Sequence, residues 1–303
     1  MSHRGYVPWL LFLAGLWGSS YFFIKVAVDD MEPSVMMSAR ALAGGLLLLV
    51  FLVATRGAAV AASQLRAAGS PTLVYGLFNA ALPFWLIAWG EKHIDSTVAG
   101  IAQATVPIFA FLVALRFLPH ERVAPIRWVG VALGLVGVGV LTGVDLPGGW
   151  WAVAGTLAVV LSSVSYACSG TYAQLRLRDT PGPVLAAGGM LIGGLVLLPI
   201  ALFQLPDELP GWEALLALTG LTVLGTTIAQ LVYFHMLPLY GNPRISLVAY
   251  IMPVFAIAYG ALFLSESITG AMVIGLGLIL AGVALGSGLA LASRRAKTVE
   301  EVL

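Results

Sequence analysis

The residues that could bind a ligand are aromatic and hydroxyl side chains inside long apolar stretches, and they fall into two matching groups. Trp17, Ser20 and Tyr21 share one face of a helix, and Ser165 and Tyr166 follow 145 residues after Ser20 and Tyr21. Aromatic rings offer apolar contact and hydroxyl groups offer hydrogen bonds, a combination typical of sites for small amphipathic molecules. We predict that the two groups form two walls of one binding cavity, although serines that bond back to their own helix would give the same pattern.

An aromatic stripe with one amide follows the apolar stretch at about residues 70–90. The candidate residues on it are Tyr75, Phe78, Asn79 and Trp85. A stripe of rings alone is as compatible with helix packing as with a ligand site. Because a buried amide must find a hydrogen-bond partner, Asn79 favours the prediction that this face lines the cavity.

Two further polar residues precede prolines in the middle of apolar stretches. Gln103 lies before Pro107, and Tyr250 lies before Pro253. Proline removes a backbone hydrogen bond and kinks a helix, and interrupted helices at corresponding positions of two halves mark a transport pathway. We predict that Pro107 and Pro253 are hinges and that Gln103 and Tyr250 face the cavity.

The stretch at about residues 212–238 holds two more candidates, Gln230 and His235. The two side chains point to opposite faces of a regular helix, so the sequence leaves open which face lines the cavity. His235 lies within a turn of one end of this stretch and is the group inside a helix that would titrate near neutral pH.

Composition predicts the elements that hold these residues. The chain is 60% hydrophobic and 10% charged, whereas soluble domains are about a quarter charged. A bilayer span needs about 20 apolar residues, and its backbone must form a helix in lipid. The chain offers ten such stretches, at roughly residues 7–28, 33–55, 70–90, 95–117, 124–143, 150–173, 183–203, 212–238, 243–264 and 269–291. The predicted fold class is an all-α integral membrane protein with ten transmembrane helices.

The second half of the chain repeats the first. Pro107-Ile-Phe-Ala matches Pro253-Val-Phe-Ala at a separation of 146, and Glu121 matches Glu266 at a separation of 145. Five helices in each half is an odd number, so the second copy must enter the membrane inverted, as in many secondary transporters. We therefore predict a five-helix repeat over residues 1–145, an inverted five-helix repeat over residues 146–292 and a cytoplasmic tail over residues 293–303.

Basic residues predict the orientation. Twelve of the fifteen Lys and Arg residues lie on the side of the two termini, two lie on the other side, and Arg40 lies within the second stretch. Because cytoplasmic loops carry the excess of Lys and Arg, we predict an inner (plasma) membrane protein with both termini in the cytoplasm.

Pairs of glycines four residues apart allow helix backbones to approach closely. We predict that these pairs pack helices within one chain, with dimerisation as the alternative. The pairs are Gly130 and Gly134, Gly189 and Gly193, and Gly282 and Gly286. The pattern is compatible with a monomer and does not decide the oligomeric state.

Charged residues at the predicted outer ends leave two readings open for Arg40. It could meet a carboxylate substrate, or it could snorkel towards Glu32 or a helix terminus.

All fourteen acidic residues lie in predicted loops, in the tail or at helix ends, as Glu91 and Glu266 do. With no buried carboxylate available for proton coupling, we predict transport down the substrate gradient with weak pH dependence.

Three motifs in this chain resemble the EamA family of the drug/metabolite transporter superfamily. They are Trp17-Gly-Ser-Ser-Tyr, the two proline-containing helices, and Leu264-Ser-Glu-Ser-Ile-Thr before a glycine-rich last helix. The resemblance covers essentially the whole chain, and within the family the chain looks similar to the YddG-type aromatic amino-acid exporters. It implies export of small metabolites, often amino acids. The first-half motif Leu118-Pro-His-Glu-Arg carries one extra residue, so its loop departs from the pattern.

The function that the sequence predicts is export of amino acids with apolar or aromatic side chains, by alternating access through a cavity between the repeats. The predicted partners are a small-molecule substrate and the lipid bilayer. A net charge of +1 without a long basic run gives no indication of nucleic acid, and the single Cys168 forms no metal cluster, so no cofactor is expected.

Three alternatives remain. The substrate could be another small metabolite or a drug. An integral-membrane enzyme, such as a lipid-linked transferase, would need acid, base or metal residues clustered at one face, and the acidic residues here are scattered. A structural subunit would not need a polar cavity.

Overall fold

Every regular element is a helix in the computed structural model, which describes residues 5–118, 124–143 and 149–286. Eight helices in this part of the chain are long and apolar enough to cross a membrane. They are α1 (Tyr6–Ala27), α2 (Pro33–Arg56), α3 (Pro71–Glu91), α4 (Ser96–Phe117), α5 (Pro125–Gly143), α6 (Trp150–Arg176), α7 (Gly182–Phe203) and α8 (Trp212–Tyr240). Two shorter apolar helices follow, α9 (Val248–Phe263) and α10 (Gly270–Gly286). Each predicted stretch thus coincides with one apolar helix.

A short helix that the apolar pattern does not predict, Ala58–Ala68, links α2 to α3. Gly57 and Gly69 bound it with φ of +83° and +58°, a region that residues with a side chain rarely adopt. The two glycines let the chain turn at both ends of this helix.

Both α3 and α8 contain a π-helical segment, Leu77–Ala81 and Val223–Ile228. The two segments start 146 residues apart, the same separation as the two proline motifs. In α8 the hydroxyls of Thr226 and Thr227 each donate a hydrogen bond of 3.0 Å to the carbonyl five residues earlier. Single π turns inside α-helices are frequent at functional sites. They also relate α3 to α8, whose sequences match poorly.

α4 is interrupted at Ala104–Thr105, immediately before Pro107. Around the break the backbone bonds three residues back, as from the N–H of Thr105 to the carbonyl of Ala102 at 3.2 Å. α9 instead runs without a break through Pro253 and follows a separate short helix, Asn242–Ile245. The two prolines therefore occupy different local geometries.

Glycines bring α5 and α10 into backbone contact. A Cβ added at Gly130 would lie 2.6 Å from the carbonyl oxygen of Gly282, and one added at Gly282 would lie 2.5 Å from the carbonyl oxygen of Gly130. Gly189 and Gly193 also pack on α3, the first against the ring of Tyr75 and the second against Ala80 and the backbone nitrogen of Ala81. The prediction that these pairs pack helices within the chain is confirmed.

Four loops meet at one end of the bundle, which we call the outer end because the basic residues predict it to be extracytoplasmic. They are residues 28–32, 92–95, 204–211 and 264–269. Side chains tie these loops together: Lys92 pairs with Glu32 at 2.8 Å, and Asp30 accepts a hydrogen bond of 3.0 Å from the N–H of Gly211.

A reporter fusion tests this orientation. Alkaline phosphatase, which is active only outside the cytoplasm, should be active when fused after Asp207, in the loop between α7 and α8, and inactive when fused after Ala68. β-Galactosidase at the same two positions should give the reciprocal pattern. The opposite result at both positions would contradict the predicted orientation and the inverted repeat.

Candidate functional site

Aromatic side chains from α1, α3, α6 and α8 lie near one another, and two of them lie within electrostatic range of a buried cation on α2. The ring centroids of Trp17 and Tyr233 lie 5.9 Å apart, and Tyr75 lies within electrostatic range of Tyr233 and Tyr166. Arg40 lies within electrostatic range of Tyr166 and Tyr21. We call these six residues the central cluster: Trp17, Tyr21, Arg40, Tyr75, Tyr166 and Tyr233. Tyr21 of α1 and Tyr166 of α6, one from each predicted wall, thus both lie near Arg40.

Three serines of α6 bond to polar groups of α3 and α4. The contacts are Ser162 Oγ to Gln103 Oε1 at 2.9 Å, Ser165 Oγ to the carbonyl of Phe78 at 2.7 Å and Ser169 Oγ to Asn79 Oδ1 at 3.2 Å. The π-helical segment of α3 contains both Phe78 and Asn79. Ser162 and Ser169 can also bond within α6, and one hydroxyl proton serves one acceptor at a time. The predicted polar residues of α3, α4 and α6 therefore form one connected wall.

Arg40 is buried, with 5% of its surface accessible. Its Nε donates a hydrogen bond of 2.8 Å to Thr226 Oγ1 in the π-helical segment of α8, and its guanidinium lies 4.0 Å from the centroid of the Phe84 ring. No carboxylate of the described residues forms a salt bridge with it. Glu32 pairs with Lys92 instead, so the snorkelling alternative for Arg40 is wrong.

The other predicted site residues differ in their burial and contacts. Ser20 packs against Gly225 of α8, where an added Cβ would lie 2.5 Å from the serine oxygen. Gln230 and Tyr250 are half-buried. His235 is exposed, with its ring centroid 5.2 Å from that of Trp9, so the structure does not bring it to the central cluster.

Trp85 lies nearer the outer end, where its ring stacks on Trp89 with centroids 6.3 Å apart. Both rings line a cavity of about 360 Å³ together with Trp151 and the Lys92–Glu32 ion pair. The pKa of neighbouring His93 is lowered by its partial burial and by the charges of Lys92 and Lys25. Trp85 therefore lines a cavity at the outer end of the bundle.

Glu266 caps α4 at the outer end. Its carboxylate accepts hydrogen bonds from the N–H groups of Ser96 and Thr97 at 2.8 and 2.9 Å and from the Thr97 hydroxyl at 2.5 Å. Asp95, at the N-cap position of α4, makes no side-chain cap. Free N–H groups at a helix start favour a negative charge, so this contact ties the loop before α10 to α4. The pKa of Asp95 is raised by partial burial and by the nearby Glu266 charge, and Lys25 opposes the rise.

Glu91 contradicts the prediction that no acidic residue is buried. Its side chain has no accessible surface, although it ends α3 as expected. The reason is a close crossing of α3 and α6: a Cβ at Gly90 would lie 2.8 Å from the carbonyl oxygen of Gly155, and one at Gly155 would lie 2.9 Å from the carbonyl oxygen of Gly90. The backbone of α6 thereby covers the end of α3.

Comparison with known proteins agrees with this architecture. The model of the EamA-like transporter family matches residues 5–143 and again residues 153–288. The uncharacterized inner membrane transporter YedA of Escherichia coli is 30% identical over 274 residues, which covers 89% of this chain and 86% of YedA. Protein PecM of Dickeya dadantii is 24% identical over 289 residues, covering 93% and 92% of the two chains.

Two further proteins are similar to this chain: a relative whose name states an activity, and a solved structure. A protein of Salmonella typhimurium named as a probable amino-acid metabolite efflux pump is 26% identical over 288 residues, covering 90% of this chain and 91% of that protein. A crystal structure whose description names no function matches with a TM-score of 0.67 at 23% identity, covering 95% of this chain and 99% of the other, and so shares the fold. Because the family model covers both halves and a 30% identical relative spans nearly the whole chain, this protein belongs to the EamA-like transporter family and is a multi-pass membrane transporter.

Proposed function

We propose that this transporter exports amino acids with apolar or aromatic side chains through the central cluster. The observation that carries the proposal is Arg40, a buried guanidinium without a carboxylate partner among the described residues. A buried charge is costly unless it is paired. Arginine also presents a planar fork of donors that fits a carboxylate. The substrate would therefore supply the missing anion.

The aromatic residues of the central cluster and the acceptors on α3 would fit the other parts of an amino acid. The rings of Trp17, Tyr75 and Tyr233 offer a wall for an apolar or aromatic side chain. Asn79 Oδ1 and the carbonyl of Phe78, in the π-helical segment of α3, are acceptors that suit an ammonium group. The name of the Salmonella typhimurium relative, a probable amino-acid metabolite efflux pump, supports the same substrate class.

Alternating access between two inverted five-helix repeats is the mechanism that we propose. The double match of the family model and the equal spacing of the π-helical segments and proline motifs support two related halves. In this mechanism α3, α4, α8 and α9 move against the glycine-packed pair α5 and α10. Pro107 and Pro253 act as hinges, the first beside the break in α4.

Other small metabolites or drugs that carry a carboxylate would fit the same cluster, and the counterflow assay described next separates them from amino acids.

The alternative that the protein is an integral-membrane enzyme has less support. Among the described residues, no three His, Cys, Asp or Glu side chains are grouped so as to hold a metal ion. The acid that is buried, Glu91, lies at the end of α3 and stands alone.

Counterflow in liposomes tests the proposal. Purified protein should exchange labelled phenylalanine, tryptophan or leucine for the same unlabelled amino acid, and should not exchange their decarboxylated amines. Trp17→Ala and Asn79→Ala should each raise the half-saturating concentration about five- to tenfold, since an aromatic contact or a hydrogen bond contributes about 1 kcal/mol. Trp151→Ala, at the exposed start of α6, is the control and should leave it unchanged. Equal effects of all three variants would contradict the site, and exchange of the amines would contradict the substrate class.

A further inference from the structure

The carboxyl group of Glu91 is isolated inside the protein. Among the acidic residues that the structure describes, it alone is fully buried, and neither of its carboxylate oxygens has a hydrogen-bond partner there. Lys25, the nearest candidate partner on α1, uses its ammonium for two backbone carbonyls, those of Glu91 at 2.8 Å and Ile94 at 2.9 Å. No salt bridge to Glu91 is present in this part of the chain.

Charged and titratable groups surround Glu91 from several helices at electrostatic range. They are Lys25 and Tyr21 on α1, Arg40 on α2 and Glu266 before α10. Glu266 is already bonded to the start of α4 through Ser96 and Thr97. No group in this set therefore forms a hydrogen bond with the Glu91 carboxyl group.

The other neighbouring helix, α6, contributes no charge. It packs against the end of α3 through Gly155 and Val159, both in contact range of Gly90. Since desolvation disfavours the charged form of a carboxyl group and no hydrogen bond compensates for it, the neutral acid is the form that fits this site.

We propose that Glu91 is a proton-binding site that couples closure of the outer end to uptake of one proton from the outer solution. The inference rests on the proposed transport function. When α6 covers the end of α3, as in this structure, Glu91 holds the proton. When α3 separates from α6 and water reaches the carboxyl group, the proton returns to the outer solution and Glu91 becomes ionised.

The sign of the pH effect follows from this exchange. The closed state binds one proton more than the open state, so acidifying the outer solution favours closure and raising the outer pH favours opening. One exchanged proton changes this equilibrium by at most about tenfold per pH unit. The effect should appear at a pH above the ordinary titration range of a glutamic acid, because burial disfavours the ionised form. This replaces the prediction of weak pH dependence made from the sequence.

Infrared spectroscopy tests the proton site without a substrate. The full-length protein in lipid at pH 7 should show the C=O band of a protonated carboxylic acid, and the wild-type minus Glu91→Gln difference spectrum should contain it. Glu213→Gln makes the same chemical change at an exposed residue of the outer end, so its difference spectrum should lack the band. A wild-type protein without this band at pH 7 would overturn the proposal, and this measurement does not depend on how well the variant folds.

Counterflow tests the coupling. The wild-type and Glu213→Gln rates should rise with outer pH by up to about tenfold per unit, whereas the Glu91→Gln rate should stay low and independent of pH because glutamine cannot ionise. A wild-type rate as flat as that of Glu91→Gln would overturn the coupling even if the infrared band is present. If no amino acid is exchanged by any variant, the proposed transport function fails, and the infrared result still decides whether Glu91 holds a proton.

Discussion

Replacing Arg40 with glutamine is expected to raise the half-saturating amino-acid concentration in counterflow by about 10- to 100-fold. A hydrogen bond to a charged group contributes about 1.5–3 kcal/mol, and about 1.4 kcal/mol corresponds to a tenfold change in affinity. Glutamine keeps a polar side chain near Thr226, the hydrogen-bond partner of Arg40, but it cannot offer a cation to the substrate carboxylate.

A substrate pair separates recognition from structural damage. Wild-type protein should prefer an amino acid to its methyl ester, which lacks the negative charge, and Arg40→Gln should lose this preference. Arg40→Lys should retain part of it, because the charge remains but the planar fork of donors is lost. Equal losses for the acid and the ester in Arg40→Gln would show that Arg40 supports the fold and does not recognise the carboxylate.

Thermal unfolding in detergent provides the control for stability. The guanidinium of Arg40 is buried without a carboxylate among the described residues, so removing its charge should not lower the unfolding temperature. A marked loss of stability would mean that contacts with Thr226 and Phe84 are the main role of Arg40.

The positions of the helices could be predicted from sequence because the signal is continuous. A bilayer span is an uninterrupted apolar run, and each of the ten predicted runs coincides with one apolar helix, such as the predicted 33–55 with Pro33–Arg56. The π-helical segments in α3 and α8 carry no such signal. In α3 the carbonyl of Phe78 accepts a hydrogen bond from Ser165 of α6, a contact that depends on how the helices pack.

The candidate site was predictable where the repeat provides a second observation. The match of Ser20 and Tyr21 with Ser165 and Tyr166 indicated that α1 and α6 are equivalent, and both helices contribute to the central cluster. Tyr233 had no such second observation, because the sequences of α8 and α3 match poorly. Its contact with Trp17 could therefore not be inferred.

The environment of charged residues at helix ends was not predictable. Position along a helix says how far a side chain is from the end, but burial depends on which helix crosses there. Glu91 and Glu266 both lie at outer ends, yet one is buried by the Gly90–Gly155 crossing and the other caps α4. Neither contact is local in sequence.

Replacing Gly282 with leucine is expected to abolish the folded protein. A Cβ at this position would lie 2.5 Å from the carbonyl oxygen of Gly130 and 2.6 Å from the backbone nitrogen of Gly134. Overpacking between side chains costs about 1–3 kcal/mol. Here the obstacle is backbone, which cannot rotate away, so α5 and α10 must separate. Size-exclusion chromatography of a fluorescent fusion should show aggregates in place of a single peak.

Gly277 provides a matched control on the same helix. A Cβ there would meet nothing within 4 Å, so Gly277→Leu adds the same apolar side chain to α10 at an exposed position. It should give a single peak with unchanged thermal stability and unchanged counterflow. Gly130→Leu and Gly139→Leu repeat the comparison on α5, where Gly130 faces backbone and Gly139 faces open space. If Gly282→Leu behaved like Gly277→Leu, the backbones of α5 and α10 would not be in close contact. The proposed mechanism would then lack the fixed helix pair against which the other helices move.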